Sequence, residues 1–506
     1  MKKAISILLV LVLLISLAPL SVFAAGDEYE TITGTVMFNA GHDDSKTDHP
    51  CPFTYSDEYF TQTGYNYRQD LATVTMAMCF AAGNVADPAR YKEGPANLID
   101  FFDQIGFKDF EANRDYTERP GRNTFGVGIA NKVIYIDGEK YTVIGIGLRG
   151  CGYYAEWAGD LNVGLEGDHT GFAICRDTAL AFLKDYLAKH TEITGKVKLW
   201  CTGYSRGAAV ANLLAARVNK ELPGLERENV FVYTFATPVA LGPQDYPDLQ
   251  QDYDNNHNAD GSLKESWGES NIFNIISSGD IVPHLLPEEW SFHRNGNDRF
   301  LPSTRNEEEL EDLNEMGKND FGPTPLDFSW LATDKETNEV MLSMEEYFIS
   351  RENYHEKYEA ALMDMIQCAF IRSEKEVTQN KVLDDGEVIQ RLRTLTHLKN
   401  MDYWKISRAV WAASTMSRAV LKRVDVENIP IRAQQIVVPI LAVGLCYGLE
   451  SEAVSLIAKY ILMFVSMRSA PDNAIRAAFC HHFENYIALM EYYAPSEHCM
   501  EATTRT

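Results

Sequence analysis

The first feature of this sequence with a chemical use is a serine between two glycines. Gly203-Tyr204-Ser205-Arg206-Gly207 fits G-x-S-x-G. The setting matters more than the pattern. Lys196–Trp200 precedes it and reads as a short buried strand, and the alanine-rich run Arg206–Leu222 follows it and reads as a helix. A strand that turns sharply into a helix holds the serine in a strained backbone region with its hydroxyl presented above the sheet. Glycine on either side lets so tight a turn close. The free N–H groups at the start of the helix then face the place where negative charge would develop on an attacked carbonyl oxygen.

A serine hydroxyl is a poor nucleophile at neutral pH without a base, and the base needs an acid to orient it. The run Asn274–Pro283 reads as a strand ending in a Gly-Asp turn, which makes Asp280 the candidate acid. Its alternative role is a loop aspartate that caps a turn. Three of the twelve histidines are candidates for the base. His481 opens the segment His481-His482-Phe483-Glu484-Asn485-Tyr486. His482 is one residue along and points to a different side. His293 follows Asp280 more closely in the chain.

The elements that must carry these residues are legible in outline. Residues 68–82 and Pro95–Phe107 read as helices. Val133–Ile136 and Tyr141–Leu148 read as strands, joined at Asp137-Gly138 by a hairpin signal. Thr170–His190 reads as a helix, and Val230–Phe235 and Ile272–Ile276 as short strands. Residues 27–67 show no clear period. Strands alternating with helices predict an α/β fold with a mostly parallel sheet covered on both faces.

Five short segments now fall in order around the elbow. Leu148-Arg149-Gly150-Cys151 resembles F-R-G-[ST], and Glu156-Trp157-Ala158-Gly159-Asp160-Leu161 resembles D-W-x-x-D-L. His169-Thr170-Gly171-Phe172 resembles H-x-G-F, Tyr233–Pro238 resembles Y-T-F-G-x-P, and Asp280–Pro283 resembles D-x-V-P. Together they resemble the fungal-type class 3 lipases, in a bacterial secreted form, within the α/β-hydrolase superfamily. The likeness covers roughly residues 130–300, plus the segment from His481, which resembles H-x-x-E-x-Y. It implies the chain order Ser205, Asp280, His481. It also implies an oxyanion hole from the backbone N–H groups of Arg206 and Cys151. Cys151 departs from the Ser or Thr of the family and is a weaker hydrogen-bonding partner.

With His481 as the base, the chain between acid and base is far longer than a bare hydrolase connection. That length predicts a large helical insertion, or cap, at 303–470. The hydrolase domain is then 25–302 with 471–506. Within the insertion, 434–449 and 453–467 are strongly apolar, as a buried helical hairpin or an apolar lid would be. Each is too short for a comfortable membrane span.

The chain has 506 residues, 45% hydrophobic and 23% charged, which is a globular balance. Its net charge of −26 shows no basic footprint for nucleic acid and opposes docking on acidic lipid by charge alone. Residues 1–24 carry two lysines, an apolar run and the small-residue site Val22-Phe23-Ala24. They read as a secretory signal peptide cut after Ala24, which predicts an extracellular protein with no transmembrane span in the mature chain. The nine cysteines are scattered, with no CxxC pair, and several sit in apolar runs. Asp254, Asn256, Asn258, Asp260, Ser262 and Glu265 fit the spacing of a calcium loop. Ala259 replaces its turn glycine, so the segment reads as a solvated loop.

The expected function is hydrolysis of carboxylic esters, acylglycerol or other lipid esters first, through an acyl-enzyme and with no metal or organic cofactor. The substrate would be met at a lipid interface or in solution. A thioesterase, carbohydrate esterase or peptidase on the same scaffold is the nearest alternative, because the cap sets the substrate. A non-catalytic binding protein on this fold is the second, and an interaction protein built on the helical segment the third.

Overall fold

The structure is a computed structural model that describes residues 29–39, 48–83, 93–117, 123–150, 156–160, 162–222, 224–242, 270–286, 288–302, 306–321, 327–345, 351–354, 473, 476–477 and 479–493. The signal-peptide segment, Cys151, the 254–265 loop and the apolar stretches 434–449 and 453–467 lie outside the described residues.

A seven-stranded sheet forms the centre, with strands in chain order from edge to edge. These are β3 (Lys108–Ala112), β4 (Val127–Ile136), β5 (Glu139–Leu148), β6 (Lys196–Tyr204), β7 (Val230–Phe235), β8 (Ile272–Ser277) and β9 (Asn297–Leu301). β3, β4 and β5 pair antiparallel, and β5 through β9 pair parallel. The hairpin between β4 and β5 closes at Asp137 and Gly138 with φ of 51° and 75°, the left-handed pair that a two-residue turn requires. The parallel strands β7 and β8 are buried along their whole length, as expected of strands covered on both faces.

The two faces bury different chemistry because side chains alternate along each strand. One face presents Leu199, Cys201, Val230, Val232 and Ile272 to an aliphatic core shared with α3 (Thr170–Lys189) and α4 (Arg206–Glu221). The other presents Trp200, Tyr204, Phe231, Tyr233 and Phe273 to an aromatic core. Its cover is α1 (Gln69–Ala82), whose residues from Leu71 to Ala82 are nearly all buried, as in a helix apolar on every side. Trp200 is wholly buried and satisfies its indole N–H on Thr75 Oγ1 at 2.8 Å.

The segment 27–67, without a readable period, contains a second sheet. β1 (Thr31–Asn39) and β2 (Asp48–Ser56) pair antiparallel in unbroken register. They pack on α1 and α2 (Ala96–Gln104), with Phe53 against Phe101 at 5.0 Å. Residues beyond 303 continue the same core. Leu313 on α5 (Glu307–Phe321), together with Phe328, Leu331 and Ala332, is buried with the C-terminal helix α7 (Phe483–Tyr493). α6 (Asp334–Glu345) follows, and its Thr337 hydroxyl donates to Gly279 O at 2.9 Å. Arg351, also nearly buried, donates to the carbonyls of Val163, Gly164 and Gly167. The described part of the expected insertion is therefore bound to the hydrolase scaffold.

Among the described residues no helix is long and apolar enough to cross a membrane. Cys51, Cys79, Cys175, Cys201 and Cys480 are all buried. Burial pushes the Cys201 thiol up to about 12, so it packs as a small hydrophobe.

Candidate active site

The strand β6 runs past the expected Trp200 to Tyr204, and α4 begins at Arg206. Ser205 is the single residue between them, at φ 54° and ψ −120°. That is a left-handed conformation in which a non-glycine residue is strained, and strain of this kind persists only where surrounding structure enforces it. Two features enforce it here. Ser205 N donates to Phe235 O on β7 at 2.9 Å. The flanking glycines allow backbone to touch backbone. A Cβ at Gly203 would lie 2.2 Å from the carbonyl of Gly207, and one at Gly207 would lie 2.6 Å from Leu148 O.

Asp280 stands just past the end of β8, where its own N–H donates to Ser277 O at 2.9 Å. Its side chain is fully buried, so its charge must be satisfied locally. Val282 N donates to Oδ1 at 2.9 Å. Oδ2 accepts from the Tyr486 hydroxyl at 2.6 Å and lies 2.8 Å from His481 Nδ1. Burial first, then the charge of Asp280, pushes the Tyr486 phenol well above its ordinary value, so it stays a donor.

The imidazole seated between Ser205 and Asp280 is that of His481. Its Nε2 is 2.8 Å from Ser205 Oγ. A carboxylate only accepts, so Nδ1 carries the proton toward Asp280 and Nε2 is left to accept from the serine hydroxyl. The His481 side chain is 22% exposed while Asp280 is 0% exposed. His481 therefore opens to solvent, and Asp280 behind it does not. His482 turns its ring to Phe479, at 5.3 Å. His293 pairs through its backbone with Leu241 in an isolated bridge.

His481 lies just before α7, and several contacts hold that segment in place. The Tyr204 hydroxyl donates to His481 O at 3.0 Å, and Phe483 packs on Tyr204 at 4.1 Å and on Phe80 at 5.2 Å. Ile281 N donates to Ala477 O at 3.3 Å, and Ala332 N donates to Cys480 Sγ at 3.1 Å. Nothing in the sequence marks Tyr204 or Tyr486 for this role, although one stands within the elbow and the other closes the His481 segment. Residue type and spacing do not show that a phenol will reach a carboxylate across the fold.

Arg206 sits directly after the nucleophile, with its side chain 1% exposed. Its Nε is 3.3 Å from Asp160 Oδ1, its Nη1 is 3.7 Å from Glu156 Oε2, and its Nη2 donates to Cys175 Sγ at 3.1 Å. His169 is buried against Phe172, with rings stacked at 4.0 Å. Burial drives its pKa down to about 3, which leaves it a neutral packing residue.

A serine, an imidazole and a carboxylate in hydrogen-bonded sequence, on an elbow between a parallel strand and a helix of an α/β-hydrolase fold, have the arrangement that acyl transfer requires. The family model of class 3 lipases matches residues 152–290. This stretch is of the class 3 lipase type. It includes Ser205, Arg206 and Asp280, about a quarter of the chain, and stops well short of His481. Solved lipase structures align over just under half of this chain. The triacylglyceride lipase of Rhizomucor miehei is 18% identical, with 47% of this chain and 82% of that one covered and a TM-score of 0.32. A fungal lipase in an inhibitor complex is 21% identical, with 46% and 81% covered and a TM-score of 0.31. Lipase II from Rhizopus niveus is 16% identical, with 45% and 78% covered and a TM-score of 0.28. No curated protein sequence matches this chain significantly. The assignment of the class 3 lipase stretch therefore rests on the family match, and that of the fold on the strand order and the elbow.

Proposed function

We propose that this protein is a serine hydrolase of carboxylic esters, with lipid esters such as acylglycerols as its substrate class. The observation that carries the reading is the relay Ser205 Oγ–His481–Asp280, with both hydrogen bonds at 2.8 Å. In the reaction His481 Nε2 takes the hydroxyl proton as Ser205 Oγ bonds to the ester carbonyl carbon. The carbonyl electrons move onto oxygen, and the N–H groups of Arg206 and Cys151 receive that charge. The tetrahedral intermediate collapses as the imidazolium gives its proton to the leaving alcohol. Water, deprotonated by His481, then attacks the acyl-enzyme and releases the carboxylic acid. Asp280 keeps the imidazole in the tautomer that can do this and stabilises its charged form.

The lipid class rests on the family match and on the apolar stretches 434–449 and 453–467 of the expected insertion, to which we assign contact with the acyl chain. The basic and apolar N-terminus ending at Ala24 supports export of the mature chain. The deciding experiment is fluorophosphonate labelling of the mature protein beside Ser205→Ala and His481→Ala, followed by turnover of esters of graded chain length. Labelling and turnover by wild type alone are expected. A wild type that neither labels nor turns over an ester leaves a binding protein on this fold. The mass of the exported protein tests the cut after Ala24.

A further inference from the structure

We propose that Glu156 is a positioning residue for the oxyanion side of this site. It ties the guanidinium of Arg149, at the end of β5, to that of Arg206, the first residue of α4. The inference rests on the acyl-transfer reading above.

Two stretches of backbone meet here without side chains between them. A Cβ on Gly207 would lie 2.6 Å from Leu148 O and 3.1 Å from Arg149 C, and one on Gly150 would lie 2.9 Å from Tyr204 O. Such contacts permit close approach but do not themselves set register, since glycine offers no knob for a neighbour to grip. Lateral ties must do that, and the structure supplies them as buried charge. Arg149 Nη2 donates to Glu156 Oε1, which also accepts from Thr124 Oγ1 at 3.2 Å. Glu156 Oε2 faces Arg206 Nη1 at 3.7 Å, and the three side chains are each 1% exposed. Asp160, 3.3 Å from Arg206 Nε, completes a balanced set of two cations and two carboxylates. Tyr116 lies 5.3 Å from the Arg149 guanidinium and Phe125 lies 5.7 Å from that of Arg206, which keeps the local dielectric low.

The first N–H groups of a helix have no partner within it, and α4 begins at Arg206. Stabilising an oxyanion depends on where such donors sit before the reaction begins. In Glu156→Gln the two arginines lose the carboxylate they share while Asp160 still faces Arg206, so the buried set is left one negative charge short, which the surroundings relieve by moving. The start of α4 then shifts against the end of β5. Misplacement of this size acts on the transition state, where the oxyanion exists, more than on the bound ester.

The test measures kcat and KM on a short p-nitrophenyl ester, active sites by end-point burst titration, and Tm. Four proteins are compared with wild type: Glu156→Gln, Arg206→Lys, the double variant Glu156→Gln/Arg206→Met, and Ser205→Ala. Glu156→Gln is expected to lose about 10- to 100-fold in kcat per titrated site, with KM within about threefold. The double variant, freed of one uncompensated cation, is expected to regain about fivefold. Arg206→Lys keeps the charge and the backbone N–H but loses the fork, and is expected to lose about tenfold in kcat. It carries the test alone if Glu156→Gln does not fold. A merely structural role would lower Tm and the number of titrated sites but leave kcat per site at the wild-type value. That result in Glu156→Gln, or in a folded Arg206→Lys, overturns the proposal while leaving the acyl-transfer reading intact. A wild type with no burst and no turnover, like Ser205→Ala, overturns both.

Discussion

The elbow at 203–207 and the segment at 476–493 each deliver one end of the same relay, and they are built in opposite ways. The elbow is local. A buried strand, two glycines and a small-residue helix follow one another within a few residues, and backbone contact forces Ser205 into its φ of 54°. The His481 segment is seated by distant partners. It bonds to Tyr204, 277 residues away, and to Asp280, 201 residues away, and Cys480 accepts from Ala332, 148 residues away. A local device resists change by sterics. A distant one depends on many modest contacts, each with its own share of the geometry. The nucleophile should therefore fail through folding when its glycines change, and the base should fail through alignment when its anchors change.

The largest effect should come from the two ends of the relay together. Ser205→Ala and His481→Ala should each lower ester turnover by about 10⁴-fold or more, and the double variant should be little worse, because such groups act as a unit. Steady-state rates on one ester check this, with His293→Ala and His482→Ala expected near wild type. Equal losses from His293→Ala would place the base elsewhere and break the comparison. Next, Asp280→Asn should leave the fold intact and lower kcat by roughly 10³- to 10⁴-fold, since an amide no longer selects the useful imidazole tautomer.

The contrast itself is sharpened by a pair of variants. Gly203→Ala places a methyl 2.2 Å from backbone, so it should destabilise the protein by about 1–3 kcal/mol or more and lower soluble yield. Tyr486→Phe removes a 2.6 Å bond to the Asp280 carboxylate. Its loss, on the order of 1.5–3 kcal/mol for a charged acceptor, should show mainly in kcat, with a smaller change in Tm. Thermal melts read beside kcat decide it. The reverse ranking would mean that the elbow tolerates crowding and that the C-terminal segment sets stability.

The smallest effect belongs to a site remote from both. His190, just past the end of α3, sits between Glu192 at 2.8 Å and Glu111 at 2.9 Å. Burial works against its charge, but the hydrogen bonds to those carboxylates outweigh it and hold its pKa above the ordinary imidazole value. A raised folded-state pKa means stability fully present below about pH 6.5, the unfolded value, and lost as pH rises through the folded value. The Tm difference between wild type and His190→Gln should therefore be largest in mild acid and vanish in mild alkali. A difference that grows with pH would reverse the sign of this linkage.

The residues themselves determined the elbow, the acid turn, the alternation of strand and helix, and the β4–β5 hairpin. Each of these is written in short-range terms: period, glycine placement, the turn chemistry of Asp137-Gly138. Residue spacing alone leaves His293, His481 and His482 open as partners of Asp280, and only the likeness of the segment His481–Tyr486 to H-x-x-E-x-Y points to His481. The β1–β2 sheet was equally hidden, since its mixed polar and aromatic pattern acquires a meaning only against α1 and α2. Only the tertiary structure seated His481, aimed Tyr486 at Asp280, and joined Arg149 and Arg206 through Glu156. The physical reason is the same in each case. Local conformation is decided by neighbours along the chain, whereas a buried charge takes whatever partner the packing of distant segments brings within reach.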